Sequence, residues 1–122
     1  MDNNLVLEQF KNLQINLQDL TKHLGKGIIL MQSDAPPIFI DTADVKRLIE
    51  FYLAGKISFQ DVIDWCDIIR FSELFSYPED EDAQEAVAVV IDEMQDYEDF
   101  DKGTVFSLDD ISKWLKMLDA VS

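Results

Sequence analysis

At 122 residues, with 48% hydrophobic content and only four Gly and three Pro, the chain has the length of one domain, enough apolar side chains for a core, and too few breakers for a disordered protein. A formal net charge of −15 with pI near 4.1 sets it against nucleic acid and anionic membrane and favours a cationic partner. The charge is uneven: residues 1–70 hold ten acids and seven bases, residues 71–101 hold twelve acids and no base, and residues 102–122 balance three against three.

The start, MDNNLVLEQF, has no basic region ahead of an apolar run, and the longest unbroken aliphatic stretch is Ala86 to Ile91. Neither a secretory signal nor a membrane span is expected. In the first segment Val6, Phe10, Leu13, Leu17, Leu20 and Leu24 recur in alternating steps of four and three, which predicts one helix over residues 5–24 with a heptad seam and Gly25 as its stop. The seam is expected to pack on the chain's own core, with a dimer interface as the alternative. From Gly27 to Ile40 the helical period disappears. Two apolar runs, Ile28 to Met31 and Ile38 to Ile40, flank Gln32 to Pro37, so a two-stranded hairpin or an extended crossover is expected at 27–40. The crossover is favoured, because an isolated hairpin is marginal and no third strand is visible.

A helical hairpin is predicted over residues 43–75. In its first helix Val45, Leu48, Ile49, Tyr52 and Leu53 share a face, Asp41 or Thr42 caps the start, and Gly55 closes the end. Ser58 with Asp61 three residues on resembles a capping box. Phe59, Val62, Ile63, Trp65, Cys66 and Ile69 then cover more than half the second helix, marking it as the buried one. Cys66 is the only cysteine and sits on that apolar face, so it reads as an inert buried thiol, and a reducing cytoplasm is the expected compartment.

The wording VKRLIEFYLAGKISFQDVIDWCDIIRF resembles the opening helical hairpin of small bacterial immunity proteins, the colicin D type and those that protect against contact-dependent growth-inhibition toxins. The shared features are an apolar helix ending in Tyr52-Leu53, the Gly55-Lys56-Ile57-Ser58 turn, and a second helix opened by Phe59. The resemblance covers about a quarter of the chain. It implies a small cytoplasmic protein that binds and neutralises a cognate toxin.

Ser76-Tyr77-Pro78 breaks the chain, and an acidic helix and loop are predicted over 79–103. Ala83, Ala86, Val87, Val90, Ile91 and Met94 share its apolar face. At about 100° per residue, Asp82, Glu85, Asp92, Glu93 and Asp96 occupy an arc of about 100° on the opposite face, with Val89 in its middle. Glu98, Asp99 and Asp101 continue the charge into the loop. Ser107 with Asp110 resembles another capping box and opens a last helix over 108–121, on which Leu108, Ile111, Leu115 and Leu118 form the core face and Trp114, Met117 and Val121 a separate stripe.

Catalysis has little support. His23 is the only histidine, so the usual triads and His-rich metal sites are excluded, and no glycine-rich phosphate loop follows a strand. Asp99-x-Asp101-x-Gly103 superficially resembles a calcium loop, but in register Thr104 stands where glycine belongs and Asp110 where the bidentate Glu belongs. No catalytic residue, cofactor or metal is expected.

A charged helix face is ordinarily just solvated. Here the missing bases between residues 71 and 101 remove the i,i+4 pairs that offset repulsion, and a cationic partner supplies a reason for the loss. The expected reading is an all-α, compact bundle of about five helices that acts as an immunity protein, a monomer in a 1:1 complex. It would occlude the nucleic-acid-binding or active-site cleft of a cationic toxin domain, a nuclease on the charge argument, without binding nucleic acid or membrane itself. The expected contact set is the arc with Val89, the loop acids, and Trp114 as an alternative anchor on the last helix. The alternatives are an acidic helical adaptor or secretion-type chaperone, dimeric through the first helix, and a degenerate calcium-responsive module.

Overall fold

A computed structural model describes residues 3–25 and 36–121. Six helices and one two-stranded sheet make up these residues: α1 (Asn3–Lys11), α2 (Leu17–Leu24), β1 (Ile38–Phe39), α3 (Thr42–Leu53), α4 (Phe59–Phe71), β2 (Phe75–Ser76), α5 (Glu81–Asp99) and α6 (Leu108–Ala120). The fold is mostly helical, as the hydrophobic periods require. The apolar run Ile28–Met31 of the expected crossover lies outside the described residues.

The predicted single helix over 5–24 is corrected to two. At the end of α1 the Gln14 N–H bonds to the Gln9 carbonyl at 2.8 Å and the Leu13 N–H to the Phe10 carbonyl at 3.1 Å, with Leu13 at φ +64°. This is the paired-bond helix stop in which glycine normally takes the left-handed position. Asn16 then restarts the helix, accepting the Asp19 N–H at 2.9 Å while Asp19 accepts the Asn16 N–H at 3.5 Å. Despite the break, Val6, Phe10 and Leu20 are buried in the chain's own core, and Leu13, Leu17 and Leu24 pack against it. The seam faces home.

The hairpin forms as its caps dictate. Asp41 and Asp44 make a reciprocal box at the start of α3, and Ser58 and Asp61 make one at the start of α4. Gly55, at φ +74°, ends α3 with the same paired bonds as α1, Lys56 N–H to Phe51 carbonyl and Gly55 N–H to Tyr52 carbonyl. α4 is the central element, packed against α2, α3, α5 and β2. Val62, Ile63, Trp65, Cys66, Ile68 and Ile69 are all buried on it. The Trp65 indole N–H also reaches the Lys11 carbonyl at 3.2 Å and so satisfies an orphan acceptor at the end of α1.

The strand partner of Ile38–Phe39 is Phe75–Ser76, paired in parallel with Ile38 opposite Phe75. The sequence reading missed it because the two segments are separated by the whole hairpin. α5 continues through Asp96 to Asp99, so the expected acidic loop starts later than predicted. α5 and α6 run antiparallel, fixed at one end by Tyr97 with Asp110 and further along by Glu93 with Lys113. Phe106 in their connection is buried in an aromatic cluster, with ring centroids 4.8 Å from Phe59, 4.9 Å from Tyr97, 5.1 Å from Tyr52 and 5.4 Å from Trp114. Among the described residues no helix is long and apolar enough to cross a membrane.

Candidate protein-binding surface

α5 buries Ala86, Val87, Val90, Ile91 and Met94, and this apolar stripe turns its acidic arc outward. The arc is not uniform. Asp92 pairs with Arg70 of α4 at 3.2 Å, and Glu93 is bonded by both the Lys113 ammonium and the Trp114 indole N–H of α6. Both flanks of the arc are therefore neutralised from neighbouring helices. This corrects the expectation of an unrelieved acidic stripe, which considered only pairs along the same helix. Arg70 is further oriented by the Gln95 amide oxygen at 2.6 Å, and Gln95 in turn donates to Asp67. Burial raises the Asp67 carboxyl above its ordinary range against the pull of that bond. At the other flank the bond to Glu93 holds the Lys113 ammonium above its ordinary range.

Asp82 and Glu85 stay exposed in the first turns of α5, and no ion pair reaches either among the described residues. Asp96 is half-buried, while Glu98, Asp99 and Asp101 are exposed at the far end. Val89 does not project freely from the arc. It is half-buried and lies in the floor of an open trough of about 290 Å³ with Ala86, Met117, Ala120 and Val121, rimmed by Asp82 and Glu85.

Trp114 is corrected from candidate anchor to core residue. It is 0% exposed, stacked edge-on with Phe106 and Tyr97, and its one polar atom is bonded to Glu93. The last helix has turned relative to the expected face: Ile111, Trp114 and Leu118 are buried together, while Leu108 at its first position points out. The heptad-like reading put Leu108 on the core face, but the core contact at that level is supplied by Phe106.

The sequence reading therefore missed the most exposed apolar side chains of the acidic region. Phe100 and Val105 are each 70% exposed and Leu108 is 75% exposed, although all three are large and hydrophobic. They follow or adjoin Glu98, Asp99, Asp101 and Asp109, all exposed. The signal was the run Asp99-Phe100-Asp101, an aromatic residue flanked by charges just where α5 ends. The Asp101 N–H bonds to the Glu98 carbonyl and the Lys102 N–H to the Tyr97 carbonyl, with Asp101 at φ +50°, so this corner is a built helix stop.

Chemistry at the buried nucleophile is suppressed. Cys66 is fully buried with its sulfur 3.8 Å from Met94 Sδ, and burial pushes its thiol up. Burial likewise pushes the Tyr77 hydroxyl up to about 12. Among the described residues no group of three or more His, Cys, Asp or Glu side chains is arranged to hold a metal ion. Comparison with family models, with curated proteins and with solved structures finds no match.

Proposed function

We propose that this chain is an immunity-type inhibitor that binds one cationic toxin domain and covers its nucleic-acid-binding or active-site cleft. The observation that carries the reading is the exposure of Phe100, Val105 and Leu108 beside Glu98, Asp99, Asp101 and Asp109. Isolated exposed apolar residues are ordinary, but three large ones within nine residues of a strongly acidic segment mark a contact surface. Carboxylates steer a basic partner and stand where its substrate phosphates would bind. The apolar side chains, once desolvated, slow its departure. The hairpin resemblance supplies the class of partner, a toxin, and the charge map independently supplies its sign.

The test is protection in cells. Co-expression of the chain with a cationic toxin domain from a neighbouring gene is expected to restore growth, and Phe100→Ser with Val105→Ser to reduce that protection without lowering the amount of folded protein. Growth arrest that persists with the wild-type chain in excess removes the reading.

A further inference from the structure

The trough between the first turns of α5 and the last turn of α6 has a composition that matches one kind of side chain. Its apolar lining is Ala86, Val89, Met117, Ala120 and Val121, and the exposed Asp82 and Glu85 complete it with no cation in the lining. Two of its lining residues, Ala86 on α5 and Ala120 on α6, carry only a methyl group and so occupy little of the space between the helices. Asp82, Glu85 and Val89 follow one another at three- and four-residue steps, so the acids stand in line with the apolar floor. The last turn of α6 carries no basic residue of its own, and the cation that reaches it, Lys46 of α3, is paired with Asp119 at 2.7 Å and is not among the residues that line the trough.

A purely aliphatic occupant would desolvate the two carboxylates without replacing their water. A phosphate or an acidic side chain would be repelled. An alkyl stem ending in a cation satisfies both parts, with methylenes on the floor and charge at the rim, as lysine and arginine side chains do where they lie along apolar surface. We propose that the trough is a socket for a single arginine or lysine side chain of the partner. The proposal rests on the cationic-partner reading above and adds a second point of contact, at the opposite end of α5 from Phe100.

The experiment uses the full ¹⁵N-labelled chain and n-butylguanidinium, with guanidinium and n-butanol as separate probes for the charge and the stem. Butylguanidinium is expected to give saturable amide shifts centred on Ala86, Val89, Met117 and Ala120, with a dissociation constant on the order of millimolar, as fits a ligand of this size. Either fragment alone is expected to bind at least about fivefold more weakly. Ala120→Leu, an exposed position in a helix, fills the hollow without altering charge and is expected to abolish the saturable shifts while leaving thermal stability unchanged. Asp82→Asn with Glu85→Gln is expected to weaken binding about fivefold. The socket is overturned by shifts no larger there than at Glu98, Asp99 and Asp101, or by a response to guanidinium equal to that of butylguanidinium. Either result leaves toxin inhibition, measured without the probe, free to stand. Conversely, a seated probe beside a fully active toxin keeps the socket and removes the toxin reading.

Discussion

The hydroxyl of Tyr97 donates to Asp110 Oδ2 at 2.5 Å and accepts the Ser107 N–H at 3.0 Å, so a side chain of α5 completes the cap of α6. In a direct capping box the third-position carboxylate would bond that N–H itself. Here the hydroxyl stands between them, and its bond holds the Asp110 carboxyl below the ordinary range. The link also ties the start of α6 to the last turns of α5. Tyr97→Phe keeps the ring against Phe106 and removes both bonds. It is expected to cost about 1 to 3 kcal/mol of stability in denaturant unfolding and to raise the Asp110 pKa toward 3.8 in a carboxyl NMR titration.

Ile69 sits at 2% exposure on the central helix. Ile69→Ala is expected to cost about 2 to 4 kcal/mol, read from chemical denaturation. A loss below about 1 kcal/mol would contradict the central position of α4.

Stability should depend on pH in two directions. Burial raises the Asp67 carboxyl above 3.8, and burial also raises Asp44, against the pulls of the Asp41 N–H, Lys11 and Arg47. The folded state holds these protons more tightly than the unfolded chain, so their contribution is full below 3.8 and is lost as pH rises through the folded values. Asp110 is depressed, so its contribution is present above 3.8 and is lost as pH falls through its lower folded value. The melting temperature is therefore expected to rise on acidification from neutral pH through the folded values of Asp44 and Asp67, with Asp110 opposing that rise below 3.8. Asp67→Asn should flatten the rise, and a melting temperature that only falls from neutral pH downward would contradict this assignment.

Association kinetics should separate the steering acids from the structural ones. Asp92 and Glu93 hold Arg70 and Lys113, so replacing them perturbs helix packing as well as the field. Asp82→Ser with Glu85→Ser is the cleaner change, expected to slow binding of the cationic partner about three- to tenfold at low salt and by little at high salt. An unchanged on-rate at low salt would remove the start of α5 from the approach path.

The parts of the fold that were legible in the sequence are those set by local chemistry. The capping boxes at Asp41 and Ser58, the stop at Gly55 and the apolar faces of α4 and α5 each depend on residues within a turn or two, and they formed as read, whereas Ser107 caps α6 without the reciprocal bond from Asp110, and Leu53, read onto the apolar face of α3, is 50% exposed. The break after Lys11 was hidden because the three-and-four spacing continues through Leu13 even though that residue adopts the left-handed conformation. The pairing of Ile38 with Phe75, the bonds from Arg70 and Lys113 to α5, and the burial of Trp114 under Phe106 all join residues distant in the chain. No local pattern encodes them. For the candidate surface, the acids were legible from charge alone, whereas the exposure of Leu108 depended on Phe106 occupying the core at the start of α6.

The proposed function requires stoichiometric inhibition through the acidic and apolar surface. The measurement that decides it is the activity of a purified cationic toxin domain from a neighbouring gene, titrated with the wild type and with the Phe100→Ser, Val105→Ser double variant. A linear fall to complete inhibition at about one equivalent of the wild type, relieved competitively by nucleic acid, is expected, with a weaker curve for the variant through a faster off-rate. Full toxin activity at excess wild type, or inhibition well below one equivalent as an enzyme would give, would contradict it.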